Sequence, residues 1–222
     1  MGNNTLIFIP FRKGSKGILN KNIRKLNGKS LFKYTLHEAI LAKWKSDSIS
    51  SIVIATDYTL DELTLTWEKD EISYWNRKDL PSVEDDASTE TAIDEYLKEN
   101  NLFTFENIML IQVTNPFLTS KQIIESTKQY KNVGTLMSVV PFNRYIWTSD
   151  GSLLFYKNRS CRQEMENLYL ENGSFYVFNL KEYLISKNRM NKPVRYYQMP
   201  IESSFEIDDE KDWCFVEKIL KK

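Results

Sequence analysis

Hydrophobic and polar positions follow two rhythms along this chain. Short apolar runs at Leu6–Ile9, Ser51–Ala55, Ile72–Trp75, Asn107–Val113, Thr135–Val140 and Val194–Met199 have the length and make-up of buried strands. The first is ended by Pro10, which cannot donate to a ladder. Between them, apolar residues recur at helical spacing. Leu31, Tyr34, Leu36, Ile40 and Leu41 form one such set behind the Asn27-Gly28-Lys29-Ser30 turn, with Ser30 as the expected cap. Others run from Thr89 to Tyr96, capped by Ser88 or Thr89; from Ser120, the expected cap, to Tyr130; and from Trp213 to Leu220 behind Asp209. Strands alternating with helices predict an α/β protein: a mostly parallel, Rossmann-like sheet flanked by helices, in a single domain over 1–222.

The rhythm breaks between Pro141 and Asn172. Phe142, Tyr145, Trp147, Phe155 and Tyr156 crowd an irregular stretch in which Asp150-Gly151 separates Tyr145–Thr148 from Leu153–Tyr156, a β-hairpin pattern. An aromatic excursion of this kind needs a surface to cover it, either as a protruding β-rich arm or as a lid packed on its own domain.

Composition narrows the class without naming it. The 222 residues are 41% hydrophobic and 27% charged, ordinary for a globular chain able to bury a sizeable core. Thirty basic residues balance thirty acidic ones, which gives no reason to expect nucleic acid or an anionic membrane as partner. Two cysteines without metal-ligand spacing and one histidine, His37, exclude a disulfide framework, a zinc site and a histidine-based triad, and point to a reducing, cytoplasmic setting. The opening apolar run is too short for a membrane span or a signal peptide.

Local charge is another matter. Arg12, Lys13, Lys16, Lys21, Arg24 and Lys25 fall within 21 residues that hold no acid and two glycines, Gly14 and Gly17. A cationic, glycine-containing loop leaving a buried strand suits phosphate: the backbone comes close, amides point at oxygen, and the cations offset its charge. The same run also reads as a solvated basic turn. Asp57, after the second strand, suits either the ligand crevice or a helix cap near Thr59. Arg77 suits a base-reading fork or a surface ion pair with Glu84–Asp86. Glu206-x-Asp208 on an extended segment puts two carboxylates on one face, as a hard cation requires, and equally suits the acidic start of a helix.

Arg12-x-x-Ser15-Lys16-Gly17-Ile18-x-x-Lys21-Asn22 resembles the N-terminal signature of the cytidylyltransferases that make CMP-sialic acids, the acylneuraminate cytidylyltransferases. The resemblance recurs in order: Arg77…Leu80…Asp85-x-Ala87-Ser88, Gln112-x-Thr114-x-Pro116, Arg162-Gln163…Asn172-Gly173, and Glu206-Ile207-Asp208…Asp212-Trp213. Lys13, Leu19, Val113, Asn115, Phe117 and Leu118 depart from the usual form. Leu170 stands where some sialic-acid enzymes carry a second arginine, which argues against N-acetylneuraminate itself.

The resemblance implies transfer of CMP from CTP to the anomeric hydroxyl of an α-keto sugar acid, a sialic acid or related nonulosonic acid, with release of pyrophosphate. It implies nucleotide contacts at Arg12, Ser15, Lys16, Lys21, Asn22, Arg77, Asp85 and Ser88, and sugar contacts at Gln112, Thr114, Arg162, Gln163 and Asn172. It implies Mg²⁺ (or Mn²⁺) on Asp208, helped by Glu206, with catalysis resting on Arg12, Lys16, Lys21 and Asp208. It also implies a homodimer made through the arm at 141–172. Activation of Kdo, use of another nucleotide, and nucleotide binding without catalysis remain open from the residues.

Overall fold

The computed structural model describes residues 4–100, 104–154 and 168–221. Its centre is a seven-stranded sheet of order β5-β4-β1-β6-β8-β7-β9. The strands are β1 (Thr5–Pro10), β4 (Ile49–Thr56), β5 (Ser73–Asn76), β6 (Asn107–Ile111), β7 (Thr135–Phe142), β8 (Leu168–Asn179) and β9 (Val194–Gln198). β2 (Lys25–Leu26) and β3 (Lys29–Ser30) make a separate two-stranded ladder. β1 pairs parallel with β4 and β6, β4 with β5, and β7 with β9. Only β8 runs against its neighbours β6 and β7, so the sheet is mostly parallel as expected.

Alternation along β1 divides the core. Ile7 and Ile9 face α1 (Leu31–Lys45) and α4 (Ser120–Gln129), packing with Phe32, Leu36, Ile40 and Ile123. Leu6 and Phe8 face the other way, onto Ile93 and Leu97 of α3 (Thr89–Glu99) and Tyr183 of α5 (Leu180–Ser186). Helices thus cover both faces, which is why these strands are nearly continuous in apolar residues. α2 (Leu60–Leu63) is a single turn closed by a Thr59–Glu62 capping box. α6 (Glu210–Leu220) starts from a capping box of Asp209 and Asp212.

A third, smaller apolar cluster positions the site. Ile18, Leu26 and Leu31 pack against Ile207, Trp213 and Val216, joining the N-terminal loop to the chain's end. The approach is so close that a Cβ at Gly17 would lie 1.9 Å from the carbonyl oxygen of Asp208. At Gly14 the nearest atom to such a Cβ is the tip of Arg12, at 4.0 Å.

Several local expectations need correction. Ser30 makes no side-chain cap bond; it belongs to β3 and α1 simply follows it. The cap of α4 is Thr119, whose hydroxyl accepts from Gln122 N–H while Gln122 reaches back, so Ser120 is the first helical residue. The stretch 141–172 is rooted in β7 and β8 at its two ends. Pro141 and Phe142 pair with Tyr169 and Leu168 inside the sheet's antiparallel ribbon. Beyond it, Trp147 bridges Leu153 around a turn with Gly151 at φ 83°, the hairpin expected there; its outer residues Phe155 and Tyr156 lie outside the described residues.

His37 has a structural task. Its Nε2 meets Glu68 Oε1 at 2.9 Å, and the same buried carboxylate accepts from Thr66 N–H and hydroxyl and pairs with Lys33 at 3.0 Å. Burial pushes the Glu68 carboxyl up, but the bonds from His37, Thr66 and Lys33 outweigh it and hold the acid well below 4.5. A depressed carboxylate contributes stability that is present above the unfolded-state pKa and lost as pH falls below it. Glu68→Gln should therefore cost roughly 3 kcal/mol near neutrality, since it leaves buried donors and a cation unmatched. Chemical denaturation at a series of pH values should show the gap between Glu68→Gln and the unchanged protein closing as pH falls below 4.5. Gly17→Ala should destabilise by about 2 kcal/mol through the backbone clash, whereas Gly14→Ala should stay within about 0.5 kcal/mol. Equal thermal midpoints for the two glycine variants would contradict the packing of the loop on residue 208.

Candidate active site

The chain runs β1, β4, β5 toward one edge and then returns to lay β6 on the other side of β1. Such a reversal leaves a crevice beyond the strands' carboxyl ends. A cleft of about 500 Å³ opens there. Its lining comes from the loop after β1 (Arg12, Ser15, Lys16, Gly17, Lys21, Asn22), the segment after β5 (Arg77, Ser82, Ala87, Ser88, Thr89), the end of β6 (Gln112, Val113, Thr114), and Glu206 and Asp208. The cationic loop and the carboxylate pair therefore face one space.

The cations divide by task. Lys21 is buried, donating to Ile207 O and lying 3.2 Å from Asp208 Oδ1. Asn22 donates its amide to Arg12 O at 2.8 Å and holds the loop's curve. Asp57 settles as a brace rather than a cap: its Oδ1 accepts from Lys13 N–H at 2.9 Å. Lys13 and Arg24 turn outward, to Glu62 and to Glu210 with Trp213, leaving Arg12, Lys16 and Lys21 in the cleft.

Arg77 lies 4% exposed on the cleft floor. Its Nη1 donates to Ser82 O at 2.9 Å and its Nε has no partner. Burial draws its pKa down to about 10, against the opposing pull of Asp57 and Glu95. It makes no ion pair with Glu84–Asp86; that acidic stretch serves Arg12 and Lys16 instead. Asp85 sits 2.6 Å from Arg12 Nη1 and 3.1 Å from Lys16 Nζ. Those two hydrogen bonds hold its carboxyl below the usual range. Asp85 thus serves as counter-charge to two cations of the basic loop and is not among the residues that line the cleft.

Glu206 and Asp208 flank Ile207, which is fully buried and donates its N–H to Thr114 O. The segment is extended, so both acids point to the cleft side. Burial and then the charge of Asp208 push the Glu206 carboxyl up to about 7. Its oxygens press on the backbone at Gly173, where a Cβ would come within 2.5 Å. A carboxylate held this way favours a nearby cation. Among the described residues no three acids, histidines or cysteines gather for a metal. Two hard oxygen donors nonetheless fit Mg²⁺, which fills its remaining positions with phosphate oxygens and water.

Asn172 does not reach the cleft. It is buried beneath, its amide donating to Ser203 O and Met199 Sδ, so its task is to hold β8 to residues 199–203. Asn115, passed over in the sequence, completes that join by donating to Asn172 O and Ser203 O. Ser82 and Thr89 line the cleft beyond the residues the motifs mark, and Pro81 opening a turn ahead of the Ser88 cap is the signal the sequence offers for them. Leu170 lines a separate apolar groove rather than the cleft. Arg162 and Gln163 lie outside the described residues.

Solved structures share the fold. A CMP:2-keto-3-deoxy-manno-octonic acid synthetase complexed with CTP superposes with TM-score 0.66 at 11% identity, covering 98% of both chains. A 4-diphosphocytidyl-2C-methyl-D-erythritol synthase from Anaerococcus prevotii gives 0.67 at 15% identity, covering 100% of this chain and 97% of that one. In sequence, the N-acylneuraminate cytidylyltransferase of Escherichia coli is 28% identical over 220 residues, 94% of this chain and 50% of that protein. The CMP-N,N'-diacetyllegionaminic acid synthase of Legionella pneumophila is 27% identical over 227 residues, 97% of this chain and 96% of its own length. The chain thus spans about half of the first relative and nearly all of the second. Residues 6–208 match the family model described as Cytidylyltransferase, and the chain belongs to that family.

Proposed function

We propose that this protein transfers CMP from CTP to the anomeric hydroxyl of an α-keto sugar acid of the sialic or nonulosonic type. The carrying observation is the shared cleft: triphosphate-seeking cations on one wall, two oxygen-donor acids on the other, and Lys21 reaching between them. The bond that forms joins the anomeric oxygen to the α-phosphorus, and the bond that breaks releases pyrophosphate. Arg12, Ser15, Lys16 and Lys21 hold the triphosphate and offset charge on the departing pyrophosphate. Arg77 and the start of α3 meet the base, where the guanidinium fork suits cytosine's O2 and N3 acceptors. Gln112 and Thr114 turn toward the sugar, and Arg162 with Gln163 take its carboxylate by motif. Mg²⁺ or Mn²⁺ on Asp208 and Glu206 would supply charge neutralisation and orientation of the phosphates.

The same reading includes a homodimer and a cytoplasmic site of action. Supporting the first, an apolar groove of about 850 Å³ beside the excursion carries Phe142, Leu170, Ile201, Phe205 and Phe215. Supporting the second, Cys214 is a free, exposed thiol.

Incubation with CTP, Mg²⁺ and a panel of eight- and nine-carbon α-keto acids should release pyrophosphate with at least one acid. CTP binding without turnover on any of them would leave only a nucleotide-binding module. Lys16→Ala should keep the thermal midpoint, because its side chain is 74% exposed, yet lose at least ~100-fold in kcat/KM for CTP. Asp208→Ala should lose the metal dependence of turnover; an unchanged Mg²⁺ response would move the ion elsewhere.

A further inference from the structure

Ser82 is held by opposite charges at both of its backbone polar groups. Its N–H donates to Glu95 Oε1 at 3.1 Å, and its carbonyl accepts from Arg77 Nη1 at 2.9 Å. Ser82 and Arg77 both line the cleft and are each 4% exposed, whereas Glu95 stands behind them on α3 and does not line it. The turn they hold, Pro81–Val83, also gives its last carbonyl to Arg12 Nη1 at 3.1 Å, so one short turn connects the floor of the cleft to the phosphate loop. Glu95 Oε2 and Arg77 Nε are buried and without hydrogen-bond partners. Such unmet groups cost stability, and a site that keeps them is using the groups' orientation.

We propose that Glu95 is a positioning residue for nucleobase choice: through the Ser82 backbone it fixes the rotation of the Arg77 guanidinium. This rests on the reading that Arg77 meets the base. Cytosine presents an acceptor at N3 where uracil presents an N–H donor. A guanidinium held in one orientation pairs with the first and opposes the second. Released from Ser82, the same guanidinium turns to meet the uracil carbonyls as readily. Selectivity for CTP over UTP therefore depends on Arg77 being fixed as well as present, and the anion that fixes it lies a helix turn and a half into α3, out of the ligand's reach. Hydrogen bonds to charged groups are the stronger kind, and a chain of them transmits orientation better than packing alone.

The test is calorimetric titration of CTP and of UTP, without any sugar acid, into the unchanged protein, Glu95→Ala and Glu95→Gln, with circular dichroism to confirm folding. In Glu95→Ala the preference for CTP over UTP should fall about tenfold, the equivalent of one hydrogen bond to a charged partner. Glu95→Gln keeps an oxygen at the same reach and should retain most of the preference. A folded Glu95→Ala with undiminished preference overturns the proposal, as does an equal loss in Glu95→Gln. Should Glu95→Ala not fold, Glu95→Asp, which withdraws the carboxylate by one methylene, is read the same way. Unchanged protein that binds neither nucleotide sinks the cytidylyltransferase reading and this inference together; unchanged protein that prefers CTP, beside a Glu95→Ala variant that still does, sinks this inference alone.

Discussion

The constraint on which the site depends is the docking of residues 15–26 onto residues 206–216. A loop bearing four cations and no acid would repel itself into solvent if it were left free. Here an apolar cluster of Ile18, Leu26, Leu31, Ile207, Trp213 and Val216 supplies the attraction. Glycine at 17 lets the two backbones meet, and Arg24 closes the outside by stacking 4.4 Å over Trp213 while pairing with Glu210. Lys21 is caught between them, nearly buried, with Ile207 O and Asp208 as its partners. A buried ammonium without such partners would be too costly to keep. The position of the phosphate loop is therefore a consequence of where the chain ends its last extended segment.

Charge within the cleft is arranged in pairs that a triphosphate can replace. Asp85 spans Arg12 and Lys16 at hydrogen-bond distance while remaining half exposed, so its attraction is screened by water. A triphosphate brings more charge to the same two cations than one carboxylate does. Arg77 differs from them. It is desolvated, has no acid within pairing distance among the described residues, and is held by a carbonyl. A desolvated fork with free donors recognises shape and acceptor pattern; solvated cations recognise charge. On the function proposed above, the two ends of the cleft would treat base and phosphate by different physics.

Much of this was legible in the chain. β1, β4, β6 and β7 are apolar runs buried on both faces, and no other element produces that pattern at that length. The phosphate loop and the Glu206-Ile207-Asp208 alternation were legible because local chemistry dictates them. β8 was not read as one strand. Its first four residues are partly or fully exposed and its last eight mostly buried, and Asn172-Gly173-Ser174, with Gly173 at φ 58°, interrupts the pattern, so only Phe175–Phe178 stands out as a short apolar run. Asn172 enters the sugar set by resemblance alone, and no local pattern reveals that its amide reaches Ser203 O and Met199 Sδ where β8 crosses residues 199–203. The pairing of Asp85 with Arg12 and Lys16 is not legible either, because a sequence does not reveal which neighbour a carboxylate will answer. Glu95 lay unremarked on the polar side of a helix pattern, since its task depends on a turn thirteen positions earlier.

The order of the elements carries a kinetic consequence of its own. The loop and its anchor are separated by 186 residues between Lys21 and Ile207, and by 187 between Lys21 and Asp208. Contacts of that span close large loops, whose entropic cost must be met before the contact gives any gain. β8 adds to this, since it inserts between β6 and β7 and must be in place before residues 199–208 have a surface to lie on. The basic loop, although first in the chain, therefore takes its shape from the last extended segment and the helix after it. Without Ile18 against Ile207 its cations would have no fixed geometry and no carboxylates opposite them, so the arrangement that the N-terminal signature contributes to is completed only by residues 206–216.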